Sequence, residues 1–241
     1  MRVLSKLVVA AIALGALTTT ASAVTPITEG SVTLYDYTGL SGHPGPAAGE
    51  TLVWNFNQVV NPIEDTAHFN YTGATFFGNV FSGTKQIAAP PAGDLSRYGA
   101  AEPAPFGTNA VFMANPGVVM TTLSINLGSL DTENTLQFYS GSTLMGTFDG
   151  SELAGALTGV ADGNQVSDLT NGRFYFSFAA ADDINKLVFS TTKPAFEFDN
   201  IAATFTSGVP EPATWTMLIL GFGFVGFMMR NNRQKTAGVL A

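Results

Sequence analysis

Acidic and amide side chains occur in close pairs at four predicted turns or strand ends, and they have the clearest capacity for chemistry. The pairs are Asp131/Glu133, Asp162/Asn164, Asp182/Asp183 and Asp199/Asn200. Ca²⁺ gathers about six to eight oxygen atoms from such side chains, from carbonyls and from water. The pattern predicts a structural calcium site with Asp199 as the first ligand and Asp131 and Glu133 as further ligands. None of the pairs fits an EF-hand loop, and all these residue types are also ordinary turn formers.

Aromatic side chains beside polar groups are the second candidate for binding chemistry. A sugar site stacks an aromatic ring on the face of the sugar and hydrogen-bonds its hydroxyls. Tyr98 lies in a Pro-rich segment, and Tyr37 leads into another. If the chain binds a glycan, we expect Tyr98 and Tyr37 to contact it, whereas most aromatic residues at strand positions belong to the core.

Residues that support catalysis do not form a recognisable set, so no enzyme activity is predicted. His43 and His68 are the two histidines, and the chain has no cysteine. A histidine-based triad, a thiol nucleophile and a thiolate metal site are therefore not indicated. The G-x-G-x-x-G pattern at 221–226 lies inside an apolar run and does not open a βαβ unit, as a nucleotide site requires. A carboxylate pair for glycoside hydrolysis stays open, because such residues come from distant strands.

The elements that must position these residues are β-strands. In 119–127, apolar Val119, Leu123, Ile125 and Leu127 alternate with polar residues, which indicates one buried and one wet face. Similar runs, mostly separated by Gly, Asn, Asp or Pro, occur at 31–37, 51–56, 67–71, 75–81, 110–114, 135–139, 143–148, 173–178, 186–191 and 195–205. Only 151–157 resembles a short helix. The pattern predicts an all-β fold, a single antiparallel β-sandwich of the jelly-roll, galactose-binding-like type.

Two segments contain too much proline and glycine for paired strands, namely 43–49 and 88–105. Long loops on a sandwich often carry the binding site. The same composition also fits surface insertions without a role, and the sequence favours neither reading.

Residues 209–241 contain three consecutive parts. Pro210, Glu211 and Pro212 come first, an apolar run of 17 residues follows at 213–229, and Arg230, Arg233 and Lys235 follow the run. At the helical rise the run would be roughly 26 Å long, which predicts one transmembrane helix. Basic residues next to a span stay in the cytoplasm, which predicts a tail at 230–235, a cytoplasmic end at 236–241 and an exterior location for the preceding residues.

These three parts resemble the C-terminus of PEP-CTERM proteins, so 209–235 is predicted to be a sorting signal. The resemblance implies recognition and cleavage near Pro210, Glu211 and Pro212 by an exosortase, a membrane-embedded transpeptidase. It also implies a transient stay in the inner membrane and then release to the cell surface or the extracellular polysaccharide matrix. Similar segments carry the label of an ice-binding protein C-terminal domain, which is no evidence of ice binding.

The first 23 residues fit a secretory signal peptide. Arg2 and Lys6 precede an apolar stretch at 7–17, and small residues at 21–23 form a cleavage site. The remaining residues, 24–208, have the size of one domain. They carry five basic and 17 acidic residues, a net charge of −12. A surface this acidic repels phosphate backbones, so nucleic acid is not an expected partner.

A second resemblance spans roughly 109–205 and rests on the phrases at 128–139, 143–148 and 196–202. They look like the repeated body of a family of exosortase-dependent surface proteins, which implies a secreted β-sandwich without enzymatic activity. The leading hypothesis is therefore a non-enzymatic exported surface or matrix protein. The alternatives are a calcium-dependent, lectin-like carbohydrate-binding module and a secreted glycoside hydrolase.

Overall fold

A computed structural model describes residues 24–57, 66–71, 74–85, 87–105, 107–207 and 212–237. The predicted signal peptide at 1–23, together with Pro210 and Glu211, lies outside this part. The described residues form thirteen strands: β1 Ile27–Glu29, β2 Val32–Gly39, β3 Thr51–Trp54, β4 Thr66–Tyr71, β5 Ala74–Ser82, β6 Arg97–Ala101, β7 Ala110–Ala114, β8 Val118–Gly128, β9 Asn134–Ser140, β10 Thr143–Asp149, β11 Gly172–Phe178, β12 Lys186–Thr191 and β13 Phe196–Ser207. The helices are α1 Gly150–Ala156 and α2 Pro212–Ala237.

The strands form one antiparallel sheet, which confirms the predicted all-β, antiparallel class. The strand order is β1-β2-β11-β8-β13-β6-β5-β7-β12-β9-β10, with β3 beside β13 and β4 beside β5. The predicted sandwich of two separate sheets is corrected. One half of β5 pairs with β7 and the other half pairs with β6, so hydrogen bonds join the two walls of strands that enclose the core. At the far end, the Ser31 amide donates to Met145 O at 2.8 Å. The sheet is therefore nearly barrel-shaped.

Aromatic side chains from opposite walls fill the interior. The ring of Phe198 on β13 stacks on Phe189 of β12 with centroids 4.0 Å apart, and Phe176 on β11 lies 5.3 Å from Phe148 on β10. All four side chains are completely buried. Successive residues of a strand point to opposite faces, so every second residue of these strands, often an aromatic one, faces this core.

The outward face of β11, β8 and β13 is also buried, which corrects the prediction of a wet face. The outward residues with little or no exposure are Ser124, Asn126, Arg173 and Asp199. The Pro-rich segments cover them. Tyr175 Oη donates to Gly45 O at 2.9 Å, and a β-carbon at Gly128 would lie 2.8 Å from Pro91 Cα. The polar face therefore lies between the sheet and two loops.

Two local predictions meet different outcomes. The short helix is found as α1, and its N-cap Asp149 forms a capping box, in which Glu152 N–H donates to Asp149 Oδ1 at 2.8 Å. The Pro-rich segment at 88–105 is not a loop throughout, because Arg97–Ala101 forms β6 between β5 and β13. The residues of β6 are small or buried, and Gly99 permits close approach of the Phe198 ring.

Helix α2 contains the predicted apolar run 213–229 and the basic positions Arg230, Arg233 and Lys235. The prediction of a transmembrane helix is not met: in the part of the chain that the structure describes, no helix has the length and apolar character needed to cross a membrane.

Candidate functional site

Asp199 lies at the centre of the covered polar face, on the central strand β13. The following residue, Asn200, has a φ of +51°, and the register against β8 shifts between Asp199 and Ala202, which marks a β-bulge. Asp199 Oδ1 accepts from Asn200 N–H at 2.7 Å, and Asp199 Oδ2 accepts from Ser96 Oγ at 3.2 Å. The bulge thus holds the carboxyl group against the Pro-rich segment that carries Ser96.

Asp199 and Asp94 form a hydrogen-bonded carboxyl pair. Burial raises the pKa of Asp199 to about 10, and the hydrogen bond and charge of Asp94 act in the same direction. Burial alone would raise the pKa of Asp94 as well. Hydrogen bonds from Asp199 and Ser96 outweigh burial, so the pKa of Asp94 is lowered. Two adjacent carboxylates cannot both ionise easily, so the pair holds one proton near neutral pH, on Asp199.

Arg173 on β11 supplies a positive charge on the same face, with only 1% of its surface exposed. Its Nη2 donates to Ser124 Oγ at 2.7 Å and its Nη1 donates to Asn126 Oδ1 at 3.0 Å. Burial lowers the pKa of Arg173, while the charge of Glu50 acts in the opposite direction. The guanidinium is therefore hydrogen-bonded by neutral partners, and Glu50 is the acid that compensates its charge.

A cleft of about 190 Å³ opens where the two Pro-rich segments face each other above this layer. Its lining residues are Leu40, His43, Pro44, Ala92, Gly93, Asp94, Asn126 and Asn200. The loop with His43 comes from before β3, and the loop with Asp94 comes from before β6. The cleft therefore joins both segments that composition singled out.

A second cleft of about 250 Å³ lies beside Glu197, two residues before Asp199 on β13. Its lining residues are Ile87, Ser129, Asp131, Gly163, Gln165, Pro194, Ala195 and Glu197. Glu197 on β13 has 2% of its surface exposed. Burial raises the pKa of Glu197 to about 8, with a smaller contribution from the charge of Asp131, and burial also raises the pKa of Asp131.

The structure does not bring the three predicted calcium ligands together. Asp131 lines the second cleft, whereas Asp199 pairs with Asp94 beside the first. Glu133 accepts a hydrogen bond from Lys193 Nζ in an ion pair. Within the described ranges, no three His, Cys, Asp or Glu side chains are grouped so that they could hold a metal ion.

Neither predicted glycan contact offers a free ring. Tyr98 belongs to β6 rather than to a loop, is completely buried, and donates from Oη to Gly83 O at 3.0 Å. It packs in a small second core with Phe81, so its ring cannot stack on a sugar. Tyr37 on β2 is half-buried and packs against the main core.

The two histidines lie on different elements of the fold. His43 lines the first cleft, and His68 lies on β4, where the structure describes only the backbone. Asp94 and Asp199 are close enough for each carboxyl group to shift the pKa of the other.

Sequence reasoning missed three residues of these sites: Glu197, Asp94 and Arg173. Glu197 carried a usable signal, because it and Asp199 interrupt apolar residues within one predicted strand, on the same face. Arg173 opens a predicted aromatic strand and is one of only five basic residues in 24–208. Asp94 had no signal, because its partner is 105 positions away in the sequence.

The C-terminal helix stands apart from these clefts. Nine apolar side chains between Met217 and Met228 are 52–72% exposed. A β-carbon added at Gly221, Gly223 or Gly226 would meet no atom within 4 Å, so no other described residue packs against α2 at these positions.

Comparison with known proteins bears on this C-terminal segment. No curated protein and no solved structure matches the chain. A family model described as the PEP-CTERM protein-sorting motif matches residues 208–234. This range contains Pro210, Glu211 and Pro212, the exposed apolar part of α2, and two of the basic residues that follow. Residues 208–234 thus carry the PEP-CTERM protein-sorting motif, as the three-part pattern at 209–235 predicted.

Proposed function

We propose that the protein is exported, that an exosortase processes it at the motif in 208–234, and that it is then delivered to the cell surface or the extracellular polysaccharide matrix. There residues 24–207 act as a non-enzymatic structural or adhesive domain. The observation that carries this proposal is the PEP-CTERM match. The fold is compatible with it, because the motif begins directly after β13 ends at Ser207.

The exposed apolar part of α2 supports membrane association during processing. Apolar side chains left in water cost about 25 cal/mol per Å², and contact with lipid or with a membrane-embedded enzyme would remove that cost. Arg230, Arg233 and Lys235 follow and favour an anionic membrane surface. The predicted signal peptide at 1–23 would place the β-domain outside the inner membrane.

Processing is tested by Glu211→Gln and Pro212→Ala in cells that contain an exosortase. We expect the wild-type chain to lose its C-terminal segment and leave the membrane fraction, whereas each variant stays at full length in that fraction. The reason is that both substitutions alter the recognised motif without changing the β-domain. Intact mass and cell fractionation measure the result.

Ser207→Ala is the matched control, since it changes the residue at the end of β13 and leaves the motif intact. It should be processed like the wild type. Normal shortening and release of the Glu211→Gln variant would contradict the proposal.

The first cleft favours a second candidate function, a carbohydrate-binding module. Two loops of different origin form it, and Asp94, Asn126 and Asn200 offer hydrogen-bonding groups.

On an array of bacterial exopolysaccharides, we expect the full chain to bind and Asp94→Asn to lose at least tenfold in affinity. Asp36→Asn, at an exposed aspartate of β2, is the control. Binding that is absent, or equal in wild type and Asp94→Asn, would refute this candidate.

A further inference from the structure

We propose that the second cleft, lined by Glu197, Asp131, Ser129 and Gln165, binds one calcium ion. Its four oxygen-bearing side chains come from three separate parts of the chain: the strand β13, the segment after β8, and the loop between α1 and β11. The inference is independent of the sorting function proposed above. It also differs from the set predicted by sequence, because only Asp131 is shared.

Glu197 presents one oxygen to the cleft. Its Oε1 accepts from Ala89 N–H at 3.0 Å, which fixes the carboxyl group against the Pro-rich segment. Its Oε2 is buried and accepts no hydrogen bond of normal geometry in the described part of the chain, although the Ser129 hydroxyl lies nearby. A buried polar atom without a partner is costly, and native proteins rarely keep one without a ligand, ion or water. The free oxygen therefore indicates a place for a ligand in the cleft.

Asp131 is arranged in the same way. Its Oδ1 accepts from Glu133 N–H at 2.9 Å. Its Oδ2 lies 3.9 Å from the position of a β-carbon at Gly163, a residue that lines the same cleft. In each acid, a backbone amide thus holds one carboxylate oxygen, from Ala89 for Glu197 and from Glu133 for Asp131, and both side chains line the cleft.

Ser129 adds a neutral oxygen beside the two acids. It has 6% of its surface exposed, and its Oγ is buried without a hydrogen bond of normal geometry among the described residues. The hydroxyl lies close enough to the Glu197 carboxyl group to oppose the rise in the pKa of Glu197. The two side chains are therefore neighbours in the cleft. The φ of +44° at Ser129 is rare for a residue with a side chain, so the fold holds an unfavourable backbone conformation at the cleft. The amide oxygen of the exposed Gln165 supplies a second neutral ligand.

The chemistry of the lining selects calcium over other metals. The cleft offers oxygen and no histidine or cysteine, which suits a hard cation and not zinc or copper. Two carboxylates are the acids present, and Ca²⁺ accepts hydroxyl, amide, carbonyl and water oxygens for the remaining positions. The loop origin of the ligands suits the flexible coordination of Ca²⁺ better than the strict octahedron of Mg²⁺. The net charge of −12 over residues 24–208 attracts cations to this surface.

The test titrates the purified, chelator-treated full chain with CaCl₂ at pH 7.5. We expect one bound ion per chain in equilibrium dialysis and a rise in Tm on adding millimolar Ca²⁺, since a ligand of the native state stabilises by mass action. The same concentration of Mg²⁺ should give a smaller rise. Glu197→Gln and Asp131→Asn should each lower the Ca²⁺ affinity at least tenfold.

Glu102→Gln is the matched control, because Glu102 is also 2% exposed and has one buried oxygen without a described partner. It does not line the cleft, so its Ca²⁺ response should equal that of the wild type. A Tm unaffected by Ca²⁺, or an equal response in Glu197→Gln and wild type, would overturn the proposal. If Glu197→Gln fails to fold, dialysis of Asp131→Asn takes its place, and wild-type affinity in that variant would overturn the proposal equally.

Discussion

Raising the pH from about 5 to about 9 in the presence of a chelator is expected to lower the free energy of unfolding substantially. Burial raises the pKa of Asp199 from the ordinary 3.8 to about 10, so the folded state binds a proton that the unfolded state releases. Stability from this group is complete below the unfolded pKa and is lost as the pH rises toward the folded pKa. The loss is at most about 1.4 kcal/mol per pH unit. Glu197 acts in the same direction up to its pKa of about 8.

Denaturant unfolding at several pH values measures this effect. Asp199→Asn keeps the shape of the protonated side chain and cannot ionise, so its stability should change much less with pH and exceed that of the wild type near pH 8. Neighbouring charges remain in the variant, chiefly Asp94 and Arg173. Asp36→Asn, at an exposed position, should follow the wild-type profile. A wild-type stability that is flat or rising between pH 5 and 9 would show that Asp199 is ionised in the folded protein.

Phe198→Ala is expected to destabilise the protein by about 3–5 kcal/mol, the range for removing a buried phenylalanine. The ring lies on β13 and stacks on Phe189 from the opposite wall. It also lies 5.7 Å from Phe56 and 6.0 Å from Phe76, measured between centroids. Its removal therefore leaves a cavity at the contact between the two walls, where the closed sheet cannot collapse easily.

The change in urea midpoint at constant m-value gives the free energy. Leu95→Ala is the control, because Leu95 is completely exposed and its truncation should change stability by less than about 0.5 kcal/mol. A loss below about 1 kcal/mol in Phe198→Ala would mean that the ring does not pack between the walls as described.

Strands with a clear period of two were predictable from sequence. The runs at 110–114 and 186–191 coincide with β7 and β12, and 119–127 lies within β8. Their alternation is set by local geometry, since every second residue faces the core. β6 was not predictable, because Gly99, Ala100 and Ala101 have no strand propensity of their own and are held by β5 and β13.

The clefts depend on contacts between distant residues, and therefore the sequence showed only some of their members. The turn pattern indicated Asp131 as a ligand, and the structure places this residue beside a cleft. Asp199 was singled out for the same reason, but burial beside Asp94 makes it a proton-holding group instead. Tyr98 was misjudged, because proline-rich surroundings suggested a loop where β6 forms. Burial and pairing across the sheet decided each of these cases.

The central position of β13 has a consequence for the order of events during synthesis. This strand is the last in the chain before the sorting motif, yet it pairs with β8, β6 and β3 in the middle of the sheet. Until residue 207 has left the ribosome, β8 and β6 each lack a neighbour and the core lacks Phe196, Phe198 and Ile201. The domain can complete its fold only when the motif is about to be made. On the proposed route of export, the domain therefore completes its fold only when the segment that the exosortase would recognise has also been made.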